Sequence, residues 1–139
     1  MALPAWRAHG VLGLTINLQG GGPLYVPEIY NAYDNNGFTS QGALKPAYAQ
    51  RIEQVLACAD SAGMVVIVGM FYWKSVQRME DEASLWRAAD SLLTFLEGTG
   101  RKNVLIEIAN EIDVVRDHTP YDLFTPDRQA EMIVALRKD

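Results

Sequence analysis

Short apolar runs alternate with longer amphipathic stretches along the chain. Three runs are typical of buried strands, because they are rich in apolar and β-branched residues and each follows a glycine break. These runs are 11–18, 64–70 and 103–111. Helical periodicity with glycine or proline boundaries predicts the end of one helix at 4–9 and further helices at 45–62, at 79–97 and from Thr125 onward. This order predicts an α/β fold with right-handed crossovers and a parallel sheet.

Two of the predicted strands have one apolar and one polar face, since side chains alternate along a strand. The apolar faces carry Leu12, Leu14, Ile16 and Leu18 in the first, and Val104, Ile106 and Ile108 in the last. The opposite faces carry Gly13, Thr15, Asn17 and Gln19, and Leu105, Glu107, Ala109 and Glu111. Buried carboxylates are costly unless they are paired. The polar faces therefore favour the lining of a barrel, with Glu111 at the carboxyl end of its strand.

Loops are predicted at 24–44 and 112–124, and loops as long as the first are usually lids or binding loops. Phe71, Tyr72 and Trp73 follow the second strand. They have two interpretations: stacking on the apolar face of a sugar ring, or closing the top of the core. Thr125, Pro126 and Asp127 form a favourable helix start, with a cap, a first-turn proline and an acid.

Composition limits the fold and the partners. The 139 residues suit one domain of common size. They are too few for an eight-stranded barrel, which needs about 250. The net charge of −5 argues against a nucleic-acid surface, and no segment is long and apolar enough to span a membrane. Cys58 is the only cysteine, so an internal disulfide is impossible and the compartment stays undecided. We expect no cofactor.

Glu111 has the position and chemistry of a general acid/base, with Asn110 beside it to hydrogen-bond a ligand hydroxyl. Glu107 lies deeper on the same face and is predicted to be a paired interior residue. The alternative is that Asn110 and Glu111 form a solvated junction between strand and loop. A weaker hypothesis is a metal site of Glu107, Glu111, Asp113 and His118, although these residues lack a fixed ligand spacing.

The stretch VLIEIANE resembles the fourth-strand motif of the large clan of retaining (β/α)8 glycoside hydrolases, in which an Asn-Glu pair supplies the acid/base. The segments GLTINLQGGGP and LKPAYAQRIEQVLACADSAGMVVIVGMFYW resemble the second and third strand–helix units of cellulase-like members near family 5. The resemblance implies an incomplete TIM barrel comprising roughly strands 2–4. Residues 1–139 would be a single partial domain, truncated at both ends.

The resemblance also implies roles for individual residues. Glu111 would be the general acid/base, and Asn110 would bind the hydroxyl next to the anomeric carbon of a β-linked glycan. The aromatic residues Phe71, Tyr72 and Trp73 would border the cleft. We also place Gln19, at the tip of the first strand, among the substrate-binding residues.

The chain departs from the family pattern in two ways. Many members have proline after the Asn-Glu pair, whereas Ile112 and Asp113 follow here. The family nucleophile is a glutamate at the end of the seventh strand, so no residue of this chain can be assigned to it. We therefore expect that the chain alone has no turnover.

A second hypothesis is a non-catalytic sugar-binding or assembly module built on a partial barrel. Three parallel strands leave two unpaired sheet edges, and such edges favour self-association.

Overall fold

The computed structural model of the chain describes residues 2–19, 35–117 and 119–137, and for 73–75 it describes the backbone alone. The predicted alternation of strands and helices is present. In chain order the elements are α1 (Leu3–Ala8), β1 (Gly13–Asn17), α2 (Pro46–Ser61), β2 (Val65–Tyr72), a 3-10 helix (Trp73–Arg78), α3 (Glu82–Thr99), β3 (Val104–Asn110), α4 (Ile112–Asp117), a second 3-10 helix (Asp122–Phe124) and α5 (Pro126–Leu136).

The three strands form one parallel sheet in the order β1-β2-β3. Gly13 pairs with Val65 at one end of β1, and Asn17 pairs with Gly69 at the other. Between β2 and β3 the register runs from Val66 opposite Val104 to Tyr72 opposite Asn110. Adjacent, sequential strands in parallel pairing confirm the predicted α/β class.

Helices α2 and α3 cover one face of the sheet. The central strand has its alternate residues Val66, Val68 and Met70 fully buried, as a helix-covered parallel strand requires. They share one hydrophobic core with the inner stripes of the two helices. Those stripes include Ile52, Leu56, Ala59, Leu85, Ala89, Leu92 and Leu96. The helical periodicity predicted for these two segments is therefore confirmed.

The end strands are less well covered than their apolar patterns predicted. Leu12 is 64% exposed and Ile106 is 42% exposed, although both belong to the predicted apolar faces. Leu12 lies before β1, which begins only at Gly13. Ile106 lies in β3, which has a neighbouring strand on one side only within the described residues, and a strand's own pattern does not reveal this order.

Helix α3 begins at Glu82, three residues later than predicted, because Asp81 caps it. The Ser84 amide donates to Asp81 Oδ1 at 2.6 Å, and the Asp81 amide donates back to Ser84 Oγ at 3.2 Å. This reciprocal pair is a capping box, which satisfies backbone donors that the first turn leaves without partners.

Replacing Asp81 with alanine should lower the free energy of unfolding by about 1 kcal/mol, because the cap is lost. Asp81→Asn retains a side-chain acceptor and should stay close to wild type. Urea denaturation of both variants measures the difference. Equal losses in the two would show that the carboxylate charge, rather than the cap, stabilises this helix end.

The region 112–124 was predicted to be a loop, and this prediction is wrong in part. It contains α4 and a 3-10 helix at Asp122–Phe124. The Val115 amide donates to the Glu111 carbonyl at 2.9 Å, and the Val115 side chain is buried. One apolar anchor and a few backbone bonds are enough for such a short helix, and neither produces a visible periodicity in the sequence.

Helix α5 starts where it was predicted, but its cap differs from expectation. The Thr125 hydroxyl donates to the Asp122 carbonyl at 3.0 Å and makes no cap bond to the helix. Met132 is the buried residue of α5, and Leu136, one turn further on the same face, packs against the core, whereas Ile133 is exposed.

Some predictions fall outside the described residues: most of the loop 24–44, His118 and the side chain of Trp73. In the part of the chain that the structure describes, no helix combines the length and apolar character needed to cross a membrane.

Candidate functional site

The carboxyl ends of the three strands bring several predicted site residues together. Tyr72 and Asn110 are register partners at the last pairing of β2 and β3. Gln19 comes just after β1, and its Oε1 accepts a hydrogen bond from the Tyr72 amide at 3.3 Å. Gln19, Tyr72 and Asn110 therefore lie side by side along one edge of the sheet, and Glu111 directly follows Asn110.

Glu111 has a backbone conformation that suits few residues. Its φ is +52°, and it is the one described residue other than glycine with a positive φ. A side chain in this left-handed region costs about 1–2 kcal/mol relative to the right-handed one. Strain of this kind concentrates at functional sites, where the surrounding structure holds it in place. The Glu111 side chain is exposed, so it is accessible to a ligand.

Gln19 is 1% exposed, and its Nε2 donor has no hydrogen-bond partner among the described residues. Nearly all buried polar groups in folded proteins are hydrogen-bonded, so such a donor needs an explanation. The carboxamide oxygen continues the hydrogen bonding of β2 beyond the end of β1. Gln19 thus connects the carboxyl ends of β1 and β2 through its side-chain oxygen. Its side-chain nitrogen remains a hydrogen-bond donor at the same end of the sheet.

Phe71 does not border a cleft in this structure, contrary to its predicted substrate-binding role. It is fully buried, with ring centroids 6.2 Å from Phe38 and 5.8 Å from Phe124. The Phe124 contact is edge-to-face, a favourable geometry for aromatic pairs. For Phe71, the interpretation that it closes the top of the core is therefore the correct one. Tyr72 is half-buried at the strand end.

A polar row crosses the uncovered face of the sheet below the strand tips. Asn17, Gly69 and Glu107 are adjacent across β1, β2 and β3. A Cβ on Gly69 would clash with Asn17 Oδ1 and lie 3.1 Å from Glu107 Oε2, so glycine leaves room for both side chains. Glu107 Oε2 is buried without a hydrogen-bond partner among the described residues, and the pairing predicted for it is not seen there.

The loops beyond β2 and β3 are tied to each other by Tyr121. Its hydroxyl donates to the Met79 carbonyl at 2.8 Å. Burial raises the pKa of the Tyr121 phenol above its ordinary value of 10.0, and the negative charge of Asp81 raises this pKa further. Both effects disfavour the phenolate, so the neutral side chain maintains the link between the two loops.

Stability should therefore fall in alkaline solution through this residue. Since the pKa of Tyr121 is higher in the folded than in the unfolded chain, its contribution is complete below pH 10 and is lost above it. Tyr121→Phe cannot titrate, so the stability difference between wild type and this variant should be constant below about pH 10 and should shrink as the pH rises above it. Urea denaturation across this range measures it. A constant difference would contradict the assignment.

The structure gives no support to the hypothesis of a metal site. Among the described residues, no group of three or more His, Cys, Asp or Glu side chains is arranged to hold a metal ion. His118, the fourth residue of that hypothesis, lies outside the described residues.

Two features of this edge were not predicted from the sequence. Phe38 and Phe124 come from segments far apart in the chain and pack against Phe71, and such short segments show no periodicity that would identify these residues as core. The left-handed backbone at Glu111 also has no sequence signal, because glutamate rarely adopts it. Comparison of the chain with known protein families, curated proteins and solved structures finds no match.

Proposed function

We propose that this chain is part of a retaining glycoside hydrolase that cleaves β-linked glycans, and that Glu111 is its general acid/base. The observation that carries the proposal is the position of Glu111. It is an exposed carboxylate in a strained conformation, directly beyond the carboxyl end of a parallel strand. Barrel enzymes place their catalytic residues at this end of their strands.

The two faces of the sheet support a barrel-type arrangement, comprising roughly strands 2–4 of a (β/α)8 fold. One face is covered by helices, whereas the other carries the polar row Asn17, Gly69 and Glu107. Leu105, on this second face, is 58% exposed. A parallel sheet is normally covered on both faces, so this face is suited to meet further strands of a closed barrel.

In this mechanism Glu111 first donates a proton to the glycosidic oxygen as the bond to the anomeric carbon breaks. It later removes a proton from the water that releases the sugar. The Asn110 carboxamide, which neighbours it at the strand end, would hydrogen-bond the hydroxyl next to the anomeric carbon. The second carboxyl group that the reaction needs, the nucleophile, is not assigned to any residue of this chain.

The test is an assay of the longest product of the gene on a panel of aryl β-glycosides. We expect release of the phenol, and proton NMR should show that the sugar initially keeps its β configuration. Inversion of configuration, or no hydrolysis of any substrate by a folded product containing further strands, would refute the proposal. For the 139-residue chain by itself we expect no turnover.

A second candidate, an assembly module, is favoured by the apolar surface beside β3. Ile106, Ile133 and Val134 are all exposed large hydrophobic residues, and the outer edge of β3 has no paired strand among the described residues. Open edges and apolar patches favour association with another chain. Sedimentation velocity over a range of concentrations tests this candidate, because a stable compact monomer at high concentration would contradict it.

A further inference from the structure

A recess lies near the carboxyl ends of the strands, between the segment that leads into α2 and the end of the first 3-10 helix. It is a cavity of about 310 Å³. Its lining residues are Asn36, Phe38, Thr39, Ser40, Lys45, Arg78 and Met79. Two of them are cations, three carry hydroxyl or amide groups, and none of these lining residues is acidic. We refer to it as the cationic pocket.

The wall of the cationic pocket is a hairpin-like segment, residues 37–45, that is held rigidly. The Thr39 amide donates to the Ala43 carbonyl at 2.8 Å, and the Ala43 amide donates to Thr39 Oγ1 at 3.1 Å. The segment is joined to β1 through the Gly37 amide and the Leu18 carbonyl, 2.6 Å apart. A ligand would therefore meet a preformed surface, which lowers the entropy cost of binding.

Further bonds fix this wall to the elements around it. The Glu80 amide donates to the Ser40 carbonyl at 2.9 Å, which connects the wall to the segment beyond β2. Arg87 Nε donates to the Gln41 carbonyl at 2.8 Å, and Ser91 Oγ donates to the Gly42 carbonyl at 3.0 Å. The first of these bonds links the two sides of the cationic pocket, and the other two fix its wall to α3.

The charges of the pocket favour an anion. Lys45 is the N-cap residue of α2, a helix of 16 residues, so the positive end of the helix dipole adds to its charge. Arg78 supplies a guanidinium with several donors in one plane, the geometry that matches a carboxylate or sulfate. Both side chains also have interactions within the chain, but their three and five donor hydrogens allow more than one partner.

The cationic pocket is connected to the carboxyl ends of the strands, where Tyr72, Asn110 and Glu111 lie. Met79 lines the pocket, and its carbonyl accepts the Tyr121 hydroxyl from the loop that follows Glu111 and α4. Phe38, another lining residue, packs on Phe71 at the end of β2. A chain of sugars lying across the carboxyl ends of the strands could therefore place one residue at Glu111 and another at the cationic pocket.

We propose that the cationic pocket is a subsite for an acidic sugar, so that the substrate is a β-glycan bearing carboxylate or sulfate groups. The statement that the acidic sugar belongs to the hydrolysed glycan rests on the proposed function. The statement that the pocket binds an acidic sugar does not. An acidic protein with a net charge of −5 repels anions at long range. Two cations gathered in one recess are therefore a local exception that serves recognition of a specific group.

The experiment measures binding to the 139-residue chain by protein-observed NMR titration. The probes are methyl β-glucuronide, glucose 6-sulfate and methyl β-glucoside, with sodium acetate and sodium sulfate as plain anions. We expect the glucuronide or the sulfate ester to bind at least about tenfold more tightly than the neutral glucoside, since a charged hydrogen bond is lost in the latter. The tighter of the two acidic sugars identifies the anionic group.

Variants test the two cations. Lys45→Gln and Arg78→Gln should each weaken binding of the acidic sugar by about tenfold and leave the neutral sugar unchanged. Lys102→Gln is the matched control, because Lys102 is an exposed cation that precedes β3 at the opposite end of the sheet. It removes the same charge and should have no effect. Circular dichroism checks that each variant is folded.

Three results would overturn the inference: equal binding of acidic and neutral sugars, plain anions binding as tightly as the acidic sugars, or equal effects of Lys102→Gln and the pocket variants. The binding and hydrolysis tests can fail separately. Hydrolysis of neutral glycosides without acidic-sugar binding refutes only the subsite. Acidic-sugar binding to this chain, with no hydrolysis by the longest gene product, refutes only the proposed reaction.

Discussion

Replacing Glu111 with glutamine should lower kcat/KM of the longest gene product for unactivated β-glycosides by about 10²- to 10⁴-fold, the usual contribution of a general acid. Glutamine has nearly the same size and can still accept hydrogen bonds, but it cannot deliver a proton to the leaving oxygen. The loss should be much smaller for aryl glycosides whose phenols leave readily, because these need little protonation.

The comparison of leaving groups separates a catalytic from a structural role. A variant that merely disturbs the fold loses the same factor on every substrate. Asp113→Asn is the matched control, since Asp113 is an exposed carboxylate in the first turn of the short helix that follows Glu111. It should keep activity within about twofold, as expected for an exposed residue that has no role in the proposed reaction. Equal losses at both positions would contradict the assignment of Glu111.

Glu111→Gly measures the conformational strain at this position independently of the loss of the acid. Glycine adopts a positive φ without the cost that a Cβ imposes, so this variant should be more stable than wild type by about 1 kcal/mol while losing activity. An opposed change in stability and activity is typical of residues that are held in a strained conformation for function. Urea denaturation and the glycoside assay together measure it.

The sequence predicted the secondary structure well because hydrophobic periodicity is a local property. The three strands, α2 and α3 all lie close to their predicted positions, and glycines with positive φ end α2 and α3, at Gly63 and Gly100. These elements need only their own residues to be recognised.

What depends on the arrangement of elements was predicted less well. The exposure of Ile106 follows from its place in a strand with a neighbour on one side only among the described residues, and strand order is not contained in the pattern of one strand. The burial of Phe71 depends on two aromatic residues that are distant in sequence, Phe38 before α2 and Phe124 in the second 3-10 helix. Contacts between such distant segments leave no periodic signal.

The candidate site likewise has local features that the sequence predicts and features that depend on the arrangement of the elements. Glu111 and Asn110 could be proposed from sequence, because a carboxylate at the end of an apolar run is a local feature. The cationic pocket could not, since Lys45 and Arg78 are separated by α2 and β2 and line one cavity only when the hairpin 37–45 is folded. Its geometry therefore depends on how that hairpin is attached to the helix behind it.

Gly42→Ala should test that attachment and should be the most destabilising of the stability variants proposed for this chain. Gly42 has φ +93°, and an added Cβ would overlap the Ser84 carbonyl oxygen and lie 2.9 Å from the Ala88 amide nitrogen. Backbone atoms of α3 cannot move aside as a flexible side chain can. We expect a loss of about 3 kcal/mol, of which about 1 is conformational strain and the remainder is steric.

Gly10→Ala separates the conformational strain from the steric contribution to the loss of stability. Gly10 has φ +88°, close to that of Gly42, but nothing lies within 4 Å of its added Cβ. This variant should lose only the conformational part, about 1 kcal/mol. The difference between the two unfolding free energies, measured in urea, then gives the cost of separating the hairpin from α3.

Because the hairpin forms the wall of the cationic pocket, Gly42→Ala should also weaken acidic-sugar binding, whereas Gly10→Ala should not. Equal unfolding free energies would mean that the hairpin is loosely attached and that the pocket is not preformed.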